Sequence, residues 1–545
     1  MRSILISFIF LSLLSFNNSM AQDNDSTIID IQYPDNWFNL DPEEDSVLGI
    51  STEKAYRTIL KNKSSKNVVV AVIDSGIDIE HEDLQGSIWV NDDEIADNGI
   101  DDDNNGYIDD IHGWNFIGNA DGENIESDSY ELTREYVRLG IFFGNKDSLK
   151  LRRKNKEKYK YYKELEKQFM KQKTKFEEEY AQFSNFYKNY KFAKEILLNF
   201  TSSDTLTIEV INKIDTNSNE QLAQIINFYK NLLEHNINDK EVTNWQEHLE
   251  KQLNFAYNVD FDPRGLVGDN YEDFNEKYYG NNNVEGPDAS HGTHVAGIIA
   301  ANRNNKIGIQ GIGDNVSIMS IRAVPDGDER DKDIANAIYY AVDNGAKIIN
   351  MSFGKSFSPQ KEAVDNAVKY AEEKGVLLIH AAGNSSKDID VKDNFPTKKF
   401  LDEKSVSQLW IEVGASNSGI NNAFVGSFSN YGSETVNIFA PGCQITSTTP
   451  DDNYEAFDGT SMASPVTAGV AALLMSYYPQ LNSIQIKDIL LKSSKKYENL
   501  EVIKPSKNAE KQEKVLFSEL SISGAIINAY EAVKMAESML IDSNK

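Results

Sequence analysis

Three short segments set a carboxylate, an imidazole and a hydroxyl among small residues: Ala71-Val-Ile-Asp-Ser-Gly76, His291-Gly-Thr-His-Val-Ala-Gly297 and Gly459-Thr-Ser-Met-Ala-Ser-Pro465. A serine hydroxyl is a weak nucleophile. It needs an adjacent base, and the base needs a third group that fixes its tautomer. Asp74, an imidazole from the second segment and a serine from the third would make such an acyl-transfer centre.

The base can be approached by elimination among the seven histidines. His235 and His248 lie in polar helical stretches, His112 in an acid-rich loop, His81 before another acidic pair and His380 at a strand end. His291 and His294 remain, and spacing alone leaves both open. They do not make a zinc-peptidase pair, which requires a full helical turn between the two histidines and an intervening glutamate. Ser461 opens a stretch rich in Ala, Gly and Val that reads as a closely packed internal helix. At that amino end, free N–H groups and the helix dipole favour developing negative charge. The alternative is a plain helix cap, with Ser464 as the rival nucleophile.

These residues need a frame, and two stretches supply a parallel α/β rhythm. Val68–Ile73 is an apolar run without alternation, as a strand buried on both faces requires, and it ends at Asp74. From Ser317 to Asn384 the order is strand (Ser317–Val324), helix (Asp331–Asn344, stopped by Gly345), strand (Lys347–Met351), helix (opened by Ser358-Pro359, closed by Gly375) and strand (Val376–Ile379). This order predicts right-handed crossovers and an open parallel sheet flanked by helices. Asp74, Ser352 and Asn384 then fall at carboxyl ends of strands, where such sheets hold their sites.

Asp, His and Ser in that chain order, with Ser352-Phe353-Gly354 and Ala381-Ala-Gly-Asn384 between them, resemble the signatures of the subtilisin-like serine peptidases, the subtilases. The resemblance covers residues 67–118 and 285–535. It implies a secreted endopeptidase in which Ser461 is the nucleophile, His291 (the first histidine of its motif) the base and Asp74 the orienting carboxylate. By the same resemblance Asn384 and the Ser461 N–H hold the oxyanion, an effect worth roughly two to three powers of ten in rate. Ser352, Phe353 and Gly354 match the segment that pairs with an extended polypeptide substrate.

The resemblance also implies structural calcium. Asp83, in His81-Glu-Asp-Leu84, and Asn305, in Asn304-Asn-Lys-Ile-Gly308, match the family's tight site, with carbonyls of Ile307 and Ile309 completing it. Glu82 stands where the family usually has proline. A second candidate is the loop Asp101-Asp-Asp-Asn-Asn-Gly-Tyr-Ile-Asp109. Asp101, Asp103 and Asn105, followed by glycine, resemble the front half of a calcium loop, with Asp109 further on. His112 occupies the place of the closing glutamate, and a solvated acidic turn is the plainer alternative. No organic cofactor is implied.

The chain departs from the family in the separation of 217 residues from Asp74 to His291. From about Tyr130 to Tyr257 it is rich in Lys, Glu, Gln, Tyr and Phe. Tyr162, Leu165, Phe169, Phe176, Tyr180, Phe183, Tyr187 and Tyr190 recur at helical spacing, then Leu222, Ile225, Tyr229 and Leu232, then Val242, Trp245 and Leu249. An antiparallel helical insertion over 121–258 is expected, within a catalytic domain formed by 67–120 and 259–540. It could shield the cleft, hold a partner, support folding or be a surface ornament.

Residues 1–21 read as a signal peptide: Arg2, the apolar run Ile4–Phe16, and Ser19-Met20-Ala21 at the cleavage positions. Residues 22–66 form a lead-in in which Trp37-Phe38 and Ala55–Leu60 should pack on the catalytic domain. The interval from Ala21 to Asp74 is too short for a folding pro-domain as well as the first strand, so folding without one is expected. The run at the amino terminus is too short to span a bilayer comfortably, and no later stretch is long and apolar enough. Cys443, the one cysteine, rules out an internal disulfide. A net charge of −30 argues against nucleic acid as a partner and could draw in basic polypeptides weakly. Two other functions stay in view: a dedicated processing peptidase whose insertion selects a partner, and a non-catalytic binding protein on a peptidase fold.

Overall fold

A computed structural model describes residues 34–543, apart from 145, 147–150, 217–218, 403 and 508–511. The expected signal peptide and the first part of the lead-in lie outside the described residues. No helix among those described is long and apolar enough to cross a membrane.

Seven strands form the body of a nine-stranded sheet: β1 (Val68–Asp74), β2 (Gly113–Asn115), β3 (Val316–Arg322), β4 (Ile348–Met351), β5 (Leu377–Ala381), β6 (Trp410–Ser416) and β7 (Ile438–Pro441). Their order is β7-β6-β5-β4-β1-β3-β2, with Ala525–Ile526 and then Lys495–Lys496 beyond β7. Every pair is parallel except the outermost, Lys495–Lys496 against Ala525–Ile526. β1 is flanked on both sides, so six of its seven residues are buried, which is why the sequence there shows no alternation. The strand expected over Ser317–Val324 runs from Val316 to Arg322. It stops there because the N–H groups of Ala323 and Val324 both turn onto the Asp74 carbonyl, at 3.1 and 3.2 Å.

Among the described residues, the longer helices of the insertion are α1 (Glu131–Phe143), α2 (Arg153–Leu198), α3 (Glu220–Glu234) and α4 (Asp239–Lys251). α2 has 46 residues, about 69 Å at 1.5 Å per residue. Its apolar stripe is covered in two sections. Tyr162, Leu165 and Phe169 pack with Leu132, Leu139 and Phe143 of α1 near the catalytic domain. Phe183, Tyr190 and Leu197 pack with Leu222, Tyr229, Leu232, Val242 and Leu249 further out. Asn219 and Asn238 cap α3 and α4, their side chains accepting from Leu222 N (3.2 Å) and Glu241 N (3.1 Å).

After the insertion come α5 (Ser290–Ala300), α6 (Asp331–Asp343), α7 (Lys361–Glu373) and α8 (Thr460–Tyr477). α8 packs on β4 to β7 and is buried along nearly its whole length, which its small residues permit. In the lead-in, Trp37 and Phe38 are buried, and Trp37 Nε1–H donates to Gln444 O at 2.9 Å.

Candidate active site

Asp74 is the last residue of β1, at the carboxyl end of the sheet beside the switch point where β3 and β4 flank it. Its buried carboxylate accepts from Ser75 N at 2.8 Å and lies 2.7 Å from His291 Nδ1. A carboxylate of this kind can only accept, so His291 carries its proton on Nδ1 and presents Nε2 to the cleft. α5 can come this close because position 292 is glycine: a Cβ there would sit 2.1 Å from the Gly76 carbonyl and 3.2 Å from Asp74 Cβ. Burial works to lower the His291 pKa, but the charge and hydrogen bond of Asp74, with the charge of Asp288, hold it above the ordinary 6.5.

His294, left open by spacing, points the other way. It is fully buried and stacked on Phe457, with Nε2 2.9 Å from Ile445 O and 3.1 Å from Glu455 O. Burial pushes it down to about 3, so it stays neutral. His380 is buried against Glu412, 2.9 Å away.

Ser461 is the second residue of α8, and its hydroxyl donates to Ser352 O at 3.0 Å. Ser352 Oγ in turn donates to Ser461 O (2.9 Å) and accepts from Asn350 Nδ2 (2.9 Å). Ser464 is fully buried, its hydroxyl donating to Asn350 Oδ1 at 2.7 Å, so it faces the core of the sheet rather than the cleft. Asn384 sits beyond the end of β5. Its Oδ1 accepts from both Thr460 N (2.9 Å) and Thr460 Oγ1 (2.8 Å), which fixes the amide plane and frees Nδ2. A Cβ added at Gly459 would lie 3.4 Å from Asn384 Nδ2 and 3.4 Å from Ser461 N. Asn384 Nδ2 and the Ser461 N–H thus lie on the same side of Gly459.

Ser352-Phe353-Gly354 leaves the carboxyl end of β4 along the same cleft. Asn394, which sequence reasoning did not single out, closes its floor: a Cβ at Gly354 would lie 2.5 Å from Asn394 Nδ2, and that amide donates to Ala381 O at 3.3 Å. Thr460 was missed as well. Its signal was its place directly before Ser461.

Residues 65–514 match the model of the subtilase family. The chain belongs to the subtilase family.

Among similar proteins are a thermophilic serine proteinase of Bacillus sp. (strain AK1), 41% identical over 208 residues, which are 38% of this chain and 47% of that protein. Subtilisin DY of Bacillus licheniformis is 40% identical over 204 residues, 37% of this chain and 68% of its own. Thermitase of Thermoactinomyces vulgaris is 39% identical over 187 residues, 34% of this chain and 61% of its own. The chain therefore spans from about half to two thirds of the length of these relatives.

This subtilase also brings together the residues singled out as oxygen donors. The Asp83 carboxylate is fully buried and accepts from Asn305 Nδ2 (2.6 Å), Ile309 N (3.0 Å) and Tyr454 OH (3.3 Å), with no cationic side chain bonded to it among the described residues. Ile307 and Ile309 line a cavity of about 340 Å³ with Asn305 and with Asn36 of the lead-in. In the acidic loop, Asp101 and Asp103 converge with Glu94, their carboxylate oxygens within 4.8 Å of one another. Asn105 turns its amide onto Asp103 Oδ2 (3.0 Å) and Asp110 Oδ2 (3.2 Å). Asp109 stands outside that trio, accepting from Asn98 N and Gly99 N at 3.1 and 2.9 Å. Glu94 was not anticipated because it precedes the motif and reaches back into it. Cys443 is buried, which pushes its thiol up to about 12 and leaves it unreactive.

Proposed function

We propose that this subtilase is a secreted serine endopeptidase. What supports the reading is the Asp74–His291 pair at 2.7 Å, carried by α5, which packs against α8, the helix that Ser461 opens. Ser461 Oγ leaves Ser352 O, swings to His291 Nε2 and attacks the scissile carbonyl as His291 takes its proton. Asp74 keeps the imidazole in the Nδ1–H tautomer and stabilises the imidazolium. Asn384 Nδ2–H and Ser461 N–H bind the oxyanion, and His291 returns the proton to the leaving amine. Water, activated by the same base, then releases the acyl product. Ser352, Phe353 and Gly354 hold the substrate as an added strand.

Calcium fits both donor sets, since a buried carboxylate without a cation and three convergent carboxylates each suit a hard cation held by oxygen. Asp83, Asn305 and the carbonyls of Ile307 and Ile309 would hold one ion, and Glu94, Asp101, Asp103 and Asn105 another. The metal would supply loop rigidity. Arg2, the apolar run Ile4–Phe16 and Ser19-Met20-Ala21 support export.

A fluorophosphonate probe tests the reading. Labelling of the wild type and its loss in Ser461→Ala, together with cleavage of an unfolded polypeptide by the wild type alone, is the expected result. An unlabelled, inactive wild type would mark a binding protein instead.

A further inference from the structure

The protein carries a net charge of −30, yet the cleft beside the proposed oxyanion site is walled by lysines. This cleft, of about 890 Å³, runs from Gly354, Gly383 and Asn384 to the helical insertion. Lys167, Lys171 and Lys175 line it from α2, and Lys387, Lys392 and Lys507 from the catalytic domain. The three on α2 stand four residues apart, so they share one face at a pitch of about 6 Å. Like charges at that spacing work against a helix, so the row is no aid to folding. Lys163 pairs with Glu166 along the helix, and Lys175 of the row pairs with Glu179 (3.4 Å). Lys167 and Lys171 are exposed and make no ion pair among the described residues, and neither do Lys387, Lys392 and Lys507. Burial lowers the Lys387 pKa, and the charges of Lys507 and Lys392 lower it further, the mark of a cationic cluster without an anion.

Three carboxylates also line the cleft: Glu164, Asp328 and Asp393. Asp328 is engaged, accepting from Glu131 N at 2.8 Å. An excess of positive charge remains. Asn384 and Gly354, of the segment proposed to pair with substrate, lie in the wall, while Asp74, His291 and Ser461 do not. His291 must face the leaving amine, so this part of the cleft receives the acyl side of a substrate.

We infer that the insertion forms the far wall of the substrate cleft, and that Lys167 and Lys171, with Lys387, Lys392 and Lys507, select polypeptides carrying Asp or Glu on the amino-terminal side of the scissile bond. The inference rests on the endopeptidase reading and deepens it. It also reverses what net charge alone suggests, because the local field of a cleft outweighs charge spread over the rest of the surface within a Debye length of about 10 Å.

The test uses the full chain and two quenched-fluorescence peptides that differ only in two residues upstream of the cleavage point, Glu-Glu against Gln-Gln. Each exposed lysine–carboxylate pair is worth about a threefold effect, so kcat/KM should favour the Glu peptide by about tenfold at low salt. The ratio should shrink towards two at about 0.5 M salt, where screening shortens to a few ångströms. In Lys167→Glu/Lys171→Glu the ratio should fall to one or invert, with Lys387→Gln as a second, independent variant. Equal rates on both peptides, or a preference that survives in the double variant, would overturn the inference while the peptidase reading stands. Binding of labelled peptides to Ser461→Ala separates the two claims. A lysine-dependent preference for the Glu peptide there, in a wild type that cleaves neither, would uphold the acidic-peptide wall and sink the hydrolytic reading. Equal binding of the two peptides would overturn the wall.

Discussion

Thr460 offers the sharpest test of how the proposed oxyanion donor, Asn384, is aimed. Asn384 is exposed, and two hydrogen bonds from one residue hold its amide: Thr460 N at 2.9 Å and Thr460 Oγ1 at 2.8 Å. Thr460→Val keeps the shape and the backbone bond but removes the hydroxyl. A neutral hydrogen bond is worth about 1 kcal/mol net, so the aimed rotamer should lose roughly fivefold in population, and kcat should drop by about that factor with little change in KM. Removing the donor itself, in Asn384→Ala, should cost about 100- to 1000-fold in kcat. The decisive assay is the double-mutant cycle with a fluorogenic peptide. Once Asn384 is alanine the Thr460 hydroxyl has no amide to hold, so Thr460→Val should then change kcat less than about twofold. Thermal melts control for stability, because Gly383 N also donates to Thr460 Oγ1 (2.9 Å) and loses its partner. If Thr460→Val lowers kcat equally in both backgrounds, the positioning argument is wrong. If Asn384→Ala leaves kcat within about twofold of wild type, the oxyanion assignment itself falls.

Three further outcomes follow from the geometry. The Asp74 charge holds the His291 pKa above 6.5, and the base must be neutral, so kcat/KM should rise with pH through an apparent pKa above 6.5; in Asp74→Asn the residual activity should titrate lower. Excess chelator should lower Tm markedly, and Glu94→Gln should remove part of that shift; a Tm unmoved by chelator would sink both calcium sets. Glu131 is buried, and although burial works to raise its pKa, the charges of Lys355 and Arg134 bring it down to about 2 from the ordinary 4.5. That depression is a stability contribution of roughly 3 kcal/mol, fully present above pH 4.5 and lost as pH falls towards 2. Denaturant melts of Glu131→Gln should therefore show a loss of about that size at pH 7 that shrinks below pH 4.5 and closes only near pH 2; a loss independent of pH would count against the ion-pair account.

What could be read from the sequence followed from how local each signal is. β1 was legible because a strand buried on both faces needs no alternation, and α2 because Tyr162, Leu165 and Phe169 repeat at helical spacing. The Asp74–His291 pairing was legible from motif order, and the choice against His294 came from the family resemblance, since spacing alone left both open. The physical reason lies in the hairpin of Ile445–Thr449 and Asn453–Phe457, which brings Phe457 and the Ile445 and Glu455 carbonyls over the His294 ring and could not be read from spacing. α1 was not separated from the rest of the insertion, since Leu132, Leu139 and Phe143 make a short stripe interrupted by Gly140. Asn394 and Glu94 acquire their roles through loops that fold back, and no periodic pattern records such contacts. The lysine wall was hidden for the same reason: Lys167 and Lys392 are far apart in the chain and meet only across a cleft.

The base of the insertion decides between ornament and working part. A long connection is cheap in entropy, rising only by about 0.6 kcal/mol for each doubling of a loop, so length alone argues nothing. The joints do. Tyr130 N and Thr133 Oγ1 both donate to Ala256 O, at 3.1 and 2.7 Å, which ties the two ends of the insertion together. Glu131 buries its carboxylate against Lys355 Nζ at 3.0 Å, and Lys355 also bonds Asp331 (2.8 Å) and Glu329 O (2.7 Å). Lys355 directly follows Gly354 on the cleft rim, and Phe357, two residues on, joins the apolar cluster of Leu132, Phe169 and Tyr257. Removing one partner of a buried pair leaves an uncompensated charge, at a typical cost of 3–5 kcal/mol, whereas exposed pairs are nearly free to change. An ornament would be joined to its host by the second kind. This insertion has exposed joints such as Lys251–Asp326 (2.7 Å), but α1 is joined by the first kind, through Glu131 and Lys355 directly beside Gly354 of the proposed substrate segment, so displacing α1 must displace the cleft rim.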